Sequence, residues 1–230
     1  MAISTAISRF TDYYRRHGFA ATIRRLGVGI KRSLFADRSV LFYYDLVKQS
    51  APARELPPFL AVERKRSSAE LSPEDLAAMT SIWNPKLVQR NMQERFALGA
   101  SLWLIKFRDK LAGYGWTLKG RTVEPHYFPL GSNDIQFIDF HVFPKFRGRA
   151  IDWFLMTQIL HQLALEGPGR AFGESGEWNQ ASIASFQMAS FRRLGVAKKR
   201  TIFGRTMVWW ANHKTPQHVV ETEKTRIKNG

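Results

Sequence analysis

A group of cationic side chains around one glycine is the part of the sequence best suited to bind a charged ligand. Residues 142–150 read VFPKFRGRA, with Lys145, Arg147 and Arg149 around Gly148. Glycine lets the backbone approach a ligand closely, and the free N–H groups and positive dipole at a helix start favour an anion. The segment therefore predicts a pyrophosphate-binding turn. The alternative is an ordinary strand-to-helix loop with surface arginines.

The patterns on either side of this turn predict the elements that position it. Ile135–Val142, IQFIDFHV, is rich in β-branched and aromatic residues and predicts a strand. Residues 149–166 carry apolar side chains near a 3.6-residue period and predict a helix. Similar patterns predict further strands at 59–66, 101–107, 111–118, 170–175, 196–203 and 205–210, and helices from Ser72 to about Leu98 and over 180–194.

Two blocks of the sequence carry a family resemblance. The segment Val142–Ile151 resembles the acyl-CoA-binding segment of the GNAT superfamily of N-acetyltransferases, whose pattern is Arg/Gln-x-x-Gly-x-Gly/Ala. Gly148 and Ala150 match this pattern, and Lys145 stands at the Arg/Gln position. A second block, Asn179–Phe186 followed by Phe191–Val196, is similar to the helix and Leu-Gly turn of the same family. The resemblance covers roughly residues 57–211.

The resemblance implies a fold, a cofactor and a set of binding residues. It implies an α/β (α+β) domain over residues 59–212, with a mixed, mostly antiparallel central sheet flanked by helices. Acetyl-CoA, or another acyl-CoA, is the implied cofactor. Asn179 would contact its pantetheine arm or an ordered water, or would cap a helix. The implied cofactor-binding residues are Val142, Lys145, Phe146, Arg147, Gly148, Arg149, Ala150 and Asn179.

The expected reaction needs a base, because an amine must lose a proton before it attacks an acyl group. Glu174 is the first candidate, since ribosomal-protein N-terminal acetyltransferases of the family resembled carry a glutamate at the matching place. Its alternative role is that of a hydrogen-bonded structural carboxylate. Asp139 is the rival, and strand alternation would place it on one face with His141.

The general acid is not assigned by the sequence. Phe186 stands seven residues after Asn179, where the family resembled usually has a tyrosine, and a phenylalanine has no proton to give. A non-catalytic protein that binds acyl-CoA, or that only scaffolds an assembly, therefore stays open as an alternative to an enzyme.

Composition excludes several other chemistries. The 230 residues contain no cysteine, which excludes disulfides, cysteine-bound zinc and thiol nucleophiles. No metal site is expected, because His213 and His218 lie in a polar tail without partner ligands. We expect no transmembrane helix and no signal peptide, and hence a cytoplasmic protein. The net charge of +16 favours anionic partners.

The N-terminal region predicts a basic amphipathic helical extension over residues 1–50, joined by a linker at 51–58. Residues 1–38 contain eight Lys/Arg and two Asp, interleaved with apolar side chains at helical intervals. Such a segment can bind an anionic membrane surface, or its apolar face can pack on the catalytic domain. Nucleic acid is not expected, because no nucleic-acid-binding motif is present. Residues 213–230 predict a loose polar tail.

The acceptor is inferred from a looser resemblance. The blocks at 13–19 and 40–46 resemble extensions on GNAT-like proteins of bacterial polysaccharide biosynthesis. This resemblance implies that an amino sugar is acetylated at the inner face of the cytoplasmic membrane. A protein amine, at an N-terminus or a lysine, is the alternative acceptor.

Overall fold

A computed structural model describes residues 38–47, 55–81, 84–202 and 205–211. These residues form eight strands and four α-helices. The strands are β1 Arg38–Asp45, β2 Leu60–Lys65, β3 Ser101–Phe107, β4 Lys110–Lys119, β5 Ile135–Val142, β6 Arg170–Gly176, β7 Arg192–Ile202 and β8 Arg205–Trp210. The helices are α1 Pro73–Thr80, α2 Pro85–Ala97, α3 Ile151–Leu165 and α4 Gln180–Met188.

The strands form a single mixed sheet in the order β2-β3-β4-β5-β6-β1-β7-β8. Every neighbouring pair is antiparallel except β5 and β6, which are parallel and pair only at Ile135 with Ala171 and Gln136 with Phe172. The predicted mixed, mostly antiparallel sheet flanked by helices is therefore confirmed.

Helices cover both faces of the sheet, with α2 on one face and α3 and α4 on the other. Helix α2 packs on the face that carries Trp116, whose ring lies 4.9 Å from that of Phe96. Helices α3 and α4 pack on the opposite face, where Ile151 lies against Gly113 and Phe186 against Gly173. Trp103 and Trp116 are both almost fully buried and belong to the core of the domain.

Local signals define the first two helices. The Ser72 hydroxyl accepts a hydrogen bond from the Asp75 N–H at 3.1 Å, and Pro73 follows as the first helical residue. The Asn84 side chain accepts from Lys86 and Leu87 in the same way, again ahead of a proline. The predicted helical region therefore contains two helices, because a second cap and proline begin a new one.

The N-terminal region differs from the expected helical extension where it is described. Residues 38–45 form strand β1, which pairs with both β6 and β7 and lies inside the sheet. The segment RSVLFYYD contains the apolar and aromatic run VLFYY, and Val40, Leu41 and Phe42 are buried. Burial on both faces of a central strand outweighs any helical periodicity. The basic segment 1–37 lies outside the described residues.

Helix α4 is shorter than predicted and ends at Met188 rather than at Leu194. Ser190 adopts a φ of 64°, the Phe191 N–H bonds to the Phe186 carbonyl, and the Ser190 N–H bonds to that of Gln187. These are the two bonds of a Schellman motif, which ends a helix at a left-handed residue. The chain then continues directly into β7. None of the described helices is long and apolar enough to cross a membrane.

Candidate active site

The candidate site begins where β5 and β6 stop pairing. Among the described residues, the two parallel strands form no residue pair beyond Gln136 and Phe172. Strand β5 nevertheless continues to Val142, and β6 to Gly176. A bulge lies in this stretch of β5, because Asp139 and Phe140 together oppose Gly115 of β4. Asp139 has a φ of 47°. Bulges bend a strand and redirect its side chains, so the carboxyl ends of β5 and β6 leave an opening between them.

The turn after β5 exposes a row of backbone donors. Pro144–Phe146 forms one 3₁₀ turn, and Gly148 and Ala150 then adopt φ values of 75° and 54° before α3 begins. The N–H groups of residues 148–152 have no backbone acceptor among the described residues. A Cβ placed on Gly148 would meet no atom within 4 Å. The left-handed backbone therefore favours glycine here, and the space beside it is open.

The three cations of this turn are all exposed, and each has a local contact. Lys145 Nζ lies 5.0 Å from the centre of the Phe146 ring. Arg147 Nε donates to the Val142 carbonyl at 3.3 Å. The Arg149 guanidinium lies 5.1 Å from the centre of the Phe107 ring. Phe146 is buried in the core, so its side chain anchors the turn. The turn thus combines exposed N–H donors with three positive charges next to the opening.

The second block of the sequence resemblance has a structural role in the fold. The Asn179 side chain accepts a hydrogen bond from the Ser182 N–H at 3.3 Å and caps α4, as its alternative role predicted. Its contact with a cofactor stays a prediction. Phe186 is buried and stacks on Phe42 with ring centroids 4.9 Å apart, and its ring fills the space above Gly173. Phe186 is therefore part of the core.

Asp139 and His141 line a cavity of about 310 Å³ on the α2 side of the sheet. Asp139 forms an ion pair with Arg95 of α2, and the Arg95 guanidinium lies 5.3 Å from the centre of the Trp116 ring. The remaining lining is mostly apolar and comes from α1, α2, β4 and β5: Met79, Leu87, Val88, Asn91, Met92, Tyr114, Trp116 and Phe140.

His141 is a neutral group in this cavity. Burial and the nearby Arg147 lower the pKa of His141 below its usual value. Its Nε2 atom is buried and has no hydrogen-bond partner among the described residues. Its ring lies 5.6 Å from that of Tyr114, its cross-strand neighbour. The sequence predicted that Asp139 and His141 would share a face, and both do line the cavity.

Glu174 lies on β6, across the opening, and is exposed. The buried Tyr127 lies close enough to Glu174 and Ser39 for both side chains to affect its pKa. Burial, and then the charge of Glu174, raise the pKa of Tyr127. The predicted base is thus accessible and has a tyrosine hydroxyl close to it.

A second histidine with a lowered pKa lies next to Tyr127. Burial, with a contribution from Lys199, lowers the pKa of His126 to about 4. Both ring nitrogens are buried without a partner among the described residues, and the ring packs 4.8 Å from that of Phe128. The sequence showed His126 and Tyr127 only as members of a Gly/Pro-rich loop. No local pattern in the sequence predicted that this loop contacts β6, or that Arg95 pairs with Asp139.

No group of three or more His, Asp or Glu side chains that could hold a metal ion occurs within the described ranges. The polar groups described around this site are carboxylates, histidines, tyrosine hydroxyls and the exposed N–H groups and cations of the turn.

No family model matches the sequence, and no curated protein matches it. Among solved structures, an acetyltransferase of the GNAT family from Colwellia psychrerythraea aligns with a TM-score of 0.50 at 12% identity, over 68% of this chain and 53% of its own. AAC(6')-Iy, solved with the bisubstrate analogue CoA-S-monomethyl-acetylneamine, aligns with a TM-score of 0.47 at 12% identity, over 64% of this chain and 97% of its own.

A GNAT-family protein from Novosphingobium aromaticivorans aligns with a TM-score of 0.46 at 14% identity, over 70% of this chain and 61% of its own. The chain thus spans between about half and three fifths of the length of the Colwellia and Novosphingobium proteins. At these identities the likeness concerns the fold, and the described part of the chain has the fold of the GNAT N-acetyltransferases.

Proposed function

We propose that this protein is an acyl-CoA-dependent N-acyltransferase, and specifically an N-acetyltransferase. The observation that carries the proposal is the opening between the parallel strands β5 and β6, which ends at the turn of residues 144–150. A parallel pair that separates after two residue pairs leaves unpaired backbone on both strands. Such backbone can hydrogen-bond an extended amide-containing chain such as pantetheine.

The residues of the turn fit the pyrophosphate of acyl-CoA. The N–H groups of residues 148–152 have no backbone acceptor among the described residues, and α3 begins at Ile151 with its dipole directed at the turn. Lys145, Arg147 and Arg149 supply positive charge at the same place. Acyl-CoA would supply an activated thioester, and the protein residues would orient it and move protons.

We assign the role of base to Glu174. It is exposed beside the opening, and the neighbouring Tyr127 hydroxyl would orient its carboxylate toward an amine proton. Asp139 is less open to an incoming amine, because the Arg95 guanidinium is paired with its carboxylate. We assign Asp139, with Arg95, to positioning the acceptor.

The proposed acceptor is an amino sugar. The cavity beside Asp139 offers a carboxylate, the Asn91 amide and the neutral His141 among the apolar rings of Tyr114 and Trp116. Polar groups of this kind pair with sugar hydroxyls, and ring faces pack on the C–H face of a sugar. A protein amine is the alternative acceptor.

The buried Phe186, in the position where an acid is expected, favours a non-catalytic acyl-CoA-binding protein as the second candidate function.

The test is CoA release from acetyl-CoA across a panel of amines, combined with calorimetry of CoA binding. Turnover of amino sugars above that of peptide amines supports the proposal as stated. Preference for a peptide N-terminus or lysine moves the acceptor to the alternative class. Tight CoA binding without turnover of any amine supports the non-catalytic candidate, and absence of CoA binding contradicts the proposal.

A further inference from the structure

One face of the β7–β8 ribbon is exposed although the other is covered. On the covered side, Val208 and Trp210 pack against Phe128 of the loop between β4 and β5. On the opposite side, Met207 and Trp209 are 41% and 47% exposed. Large apolar side chains on the surface of a strand, and a tryptophan in particular, indicate a contact surface when charged residues of one sign surround them.

The register of the ribbon places cations beside these apolar residues. Lys198 is paired with Trp209, and Arg200 with Met207. Directly opposed residues of an antiparallel pair share a face, and Arg205 lies on the face of Met207 and Trp209 because residues two apart do so. We call the set Lys198, Arg200, Arg205, Met207 and Trp209 the ribbon face. Neither β7 nor β8 contains an acidic residue.

We propose that the ribbon face docks on an anionic membrane surface. Tryptophan favours the membrane–water interface, where its apolar ring and its N–H group are both accommodated. Lysine and arginine beside it bind anionic headgroups. The three cations of the ribbon face are complementary in charge to such a surface, and the net charge of +16 acts in the same direction. This proposal is independent of the acyltransferase reaction.

The position of β1 links the ribbon face to the basic N-terminal sequence. Arg38, the first residue of β1, is paired with Lys198 of the ribbon face. The sequence that precedes it, residues 1–37, contains seven Lys/Arg and two Asp. A cationic ribbon face and a cationic sequence before it favour an extended anionic surface over a small ligand. A bilayer fits an exposed Met and Trp better than nucleic acid, which would use a series of stacking aromatics.

The test compares two double variants of the full chain in co-sedimentation with vesicles at 0.1 M salt. Lys198→Gln/Arg205→Gln removes two charges from the ribbon face, and Lys110→Gln/Lys119→Gln removes two exposed charges from β4 as the matched control. With vesicles of phosphatidylglycerol and phosphatidylcholine, we expect the first variant to lose about 30-fold in partitioning and the control to lose less than threefold. Pure phosphatidylcholine vesicles should bind all forms weakly.

A second measurement separates the ribbon face from the N-terminal segment. Because the chain has no cysteine, Met207→Cys and Lys110→Cys can each carry one environment-sensitive fluorophore. We expect a blue shift with anionic vesicles at position 207 and none at 110. Equal losses in the two double variants, or no shift at 207, would show that residues 1–37 alone bind the membrane and would overturn the proposal. Binding of single-stranded RNA, but not of vesicles, would overturn it in favour of nucleic acid.

Discussion

The two walls of the opening between β5 and β6 carry the same three kinds of side chain in different surroundings. Each wall has a carboxylate, a histidine and a tyrosine, which are Asp139, His141 and Tyr114 at β5 and Glu174, His126 and Tyr127 at β6. Both histidines have lowered pKa values because they are buried. The carboxylates differ: Asp139 is paired with the Arg95 guanidinium, whereas the group described close to Glu174 is the Tyr127 hydroxyl.

This difference shows that residue type alone does not assign a role in such a site. The Arg95 guanidinium occupies part of the Asp139 carboxylate, whereas the Glu174 carboxylate is exposed and has a tyrosine hydroxyl close to it. We therefore expect the β5 wall to position the acceptor and the β6 wall to transfer protons.

The largest effect is expected from a change at the turn that both walls share. Gly148→Glu should abolish CoA binding, because it places a side chain and a negative charge where the pyrophosphate would bind, at a φ of 75°. Calorimetry with CoA measures this loss. Gly99→Glu is the matched control, since Gly99 has a φ of 84° and equally open surroundings. Unchanged CoA affinity in a folded Gly148→Glu variant would remove the turn from the site.

The next effect tests the division between the two walls directly. Glu174→Gln should lower turnover on the order of 10²-fold while CoA binding stays near normal, because only the proton acceptor is lost. Asp139→Asn should do less to turnover and should raise the KM for the amine. Steady-state kinetics of both variants measure the contrast. Full activity of Glu174→Gln would transfer the role of base to Asp139 or to solvent.

A smaller effect concerns His126 and stability. Its folded-state pKa of about 4 lies below the unfolded value of about 6.5, so the unfolded chain binds more protons between these pH values. Stability should therefore fall as the pH falls through this window, by about 2 kcal/mol between pH 7 and pH 5. His126→Phe should remove this part of the pH dependence in urea unfolding. An unchanged slope in that variant would show that His126 is not its source.

The smallest effect is expected at the hydroxyl beside Glu174. Tyr127→Phe removes the buried hydroxyl close to Glu174 and Ser39. If that hydroxyl is hydrogen-bonded, its loss should cost about 1 kcal/mol of unfolding free energy. It should also lower turnover severalfold, because the carboxylate loses the donor that orients it. Tyr43→Phe, on β1, is the matched control. If the two variants are equally active, Tyr127 has a structural role only and does not assist proton transfer at Glu174.

The local elements of this protein could be predicted from its sequence. Strand β5 has the predicted bounds Ile135–Val142, and Ser72 caps α1 as its pattern predicted. The glycine at 148 lies in a turn between β5 and α3, where its neighbours predicted one, and adopts a φ of 75°. These features depend on contacts within a few residues, so the pattern of residue types contains the information. The fold class followed from the resemblance of two such segments.

The site itself depends on contacts between distant parts of the chain. Arg95 meets Asp139 across 44 positions because a bulge in β5 turns that carboxylate toward α2. Tyr127 meets Glu174 because the loop between β4 and β5 folds over β6, and β1 enters the sheet between β6 and β7 rather than forming a helix. Sequence alone predicted the other strands, the regions of the helices and the turn between β5 and α3, but not strand β1. Only the tertiary structure decided which carboxylate faces a cation and which a hydroxyl, because pairing across the sheet is set by the packing of the whole core.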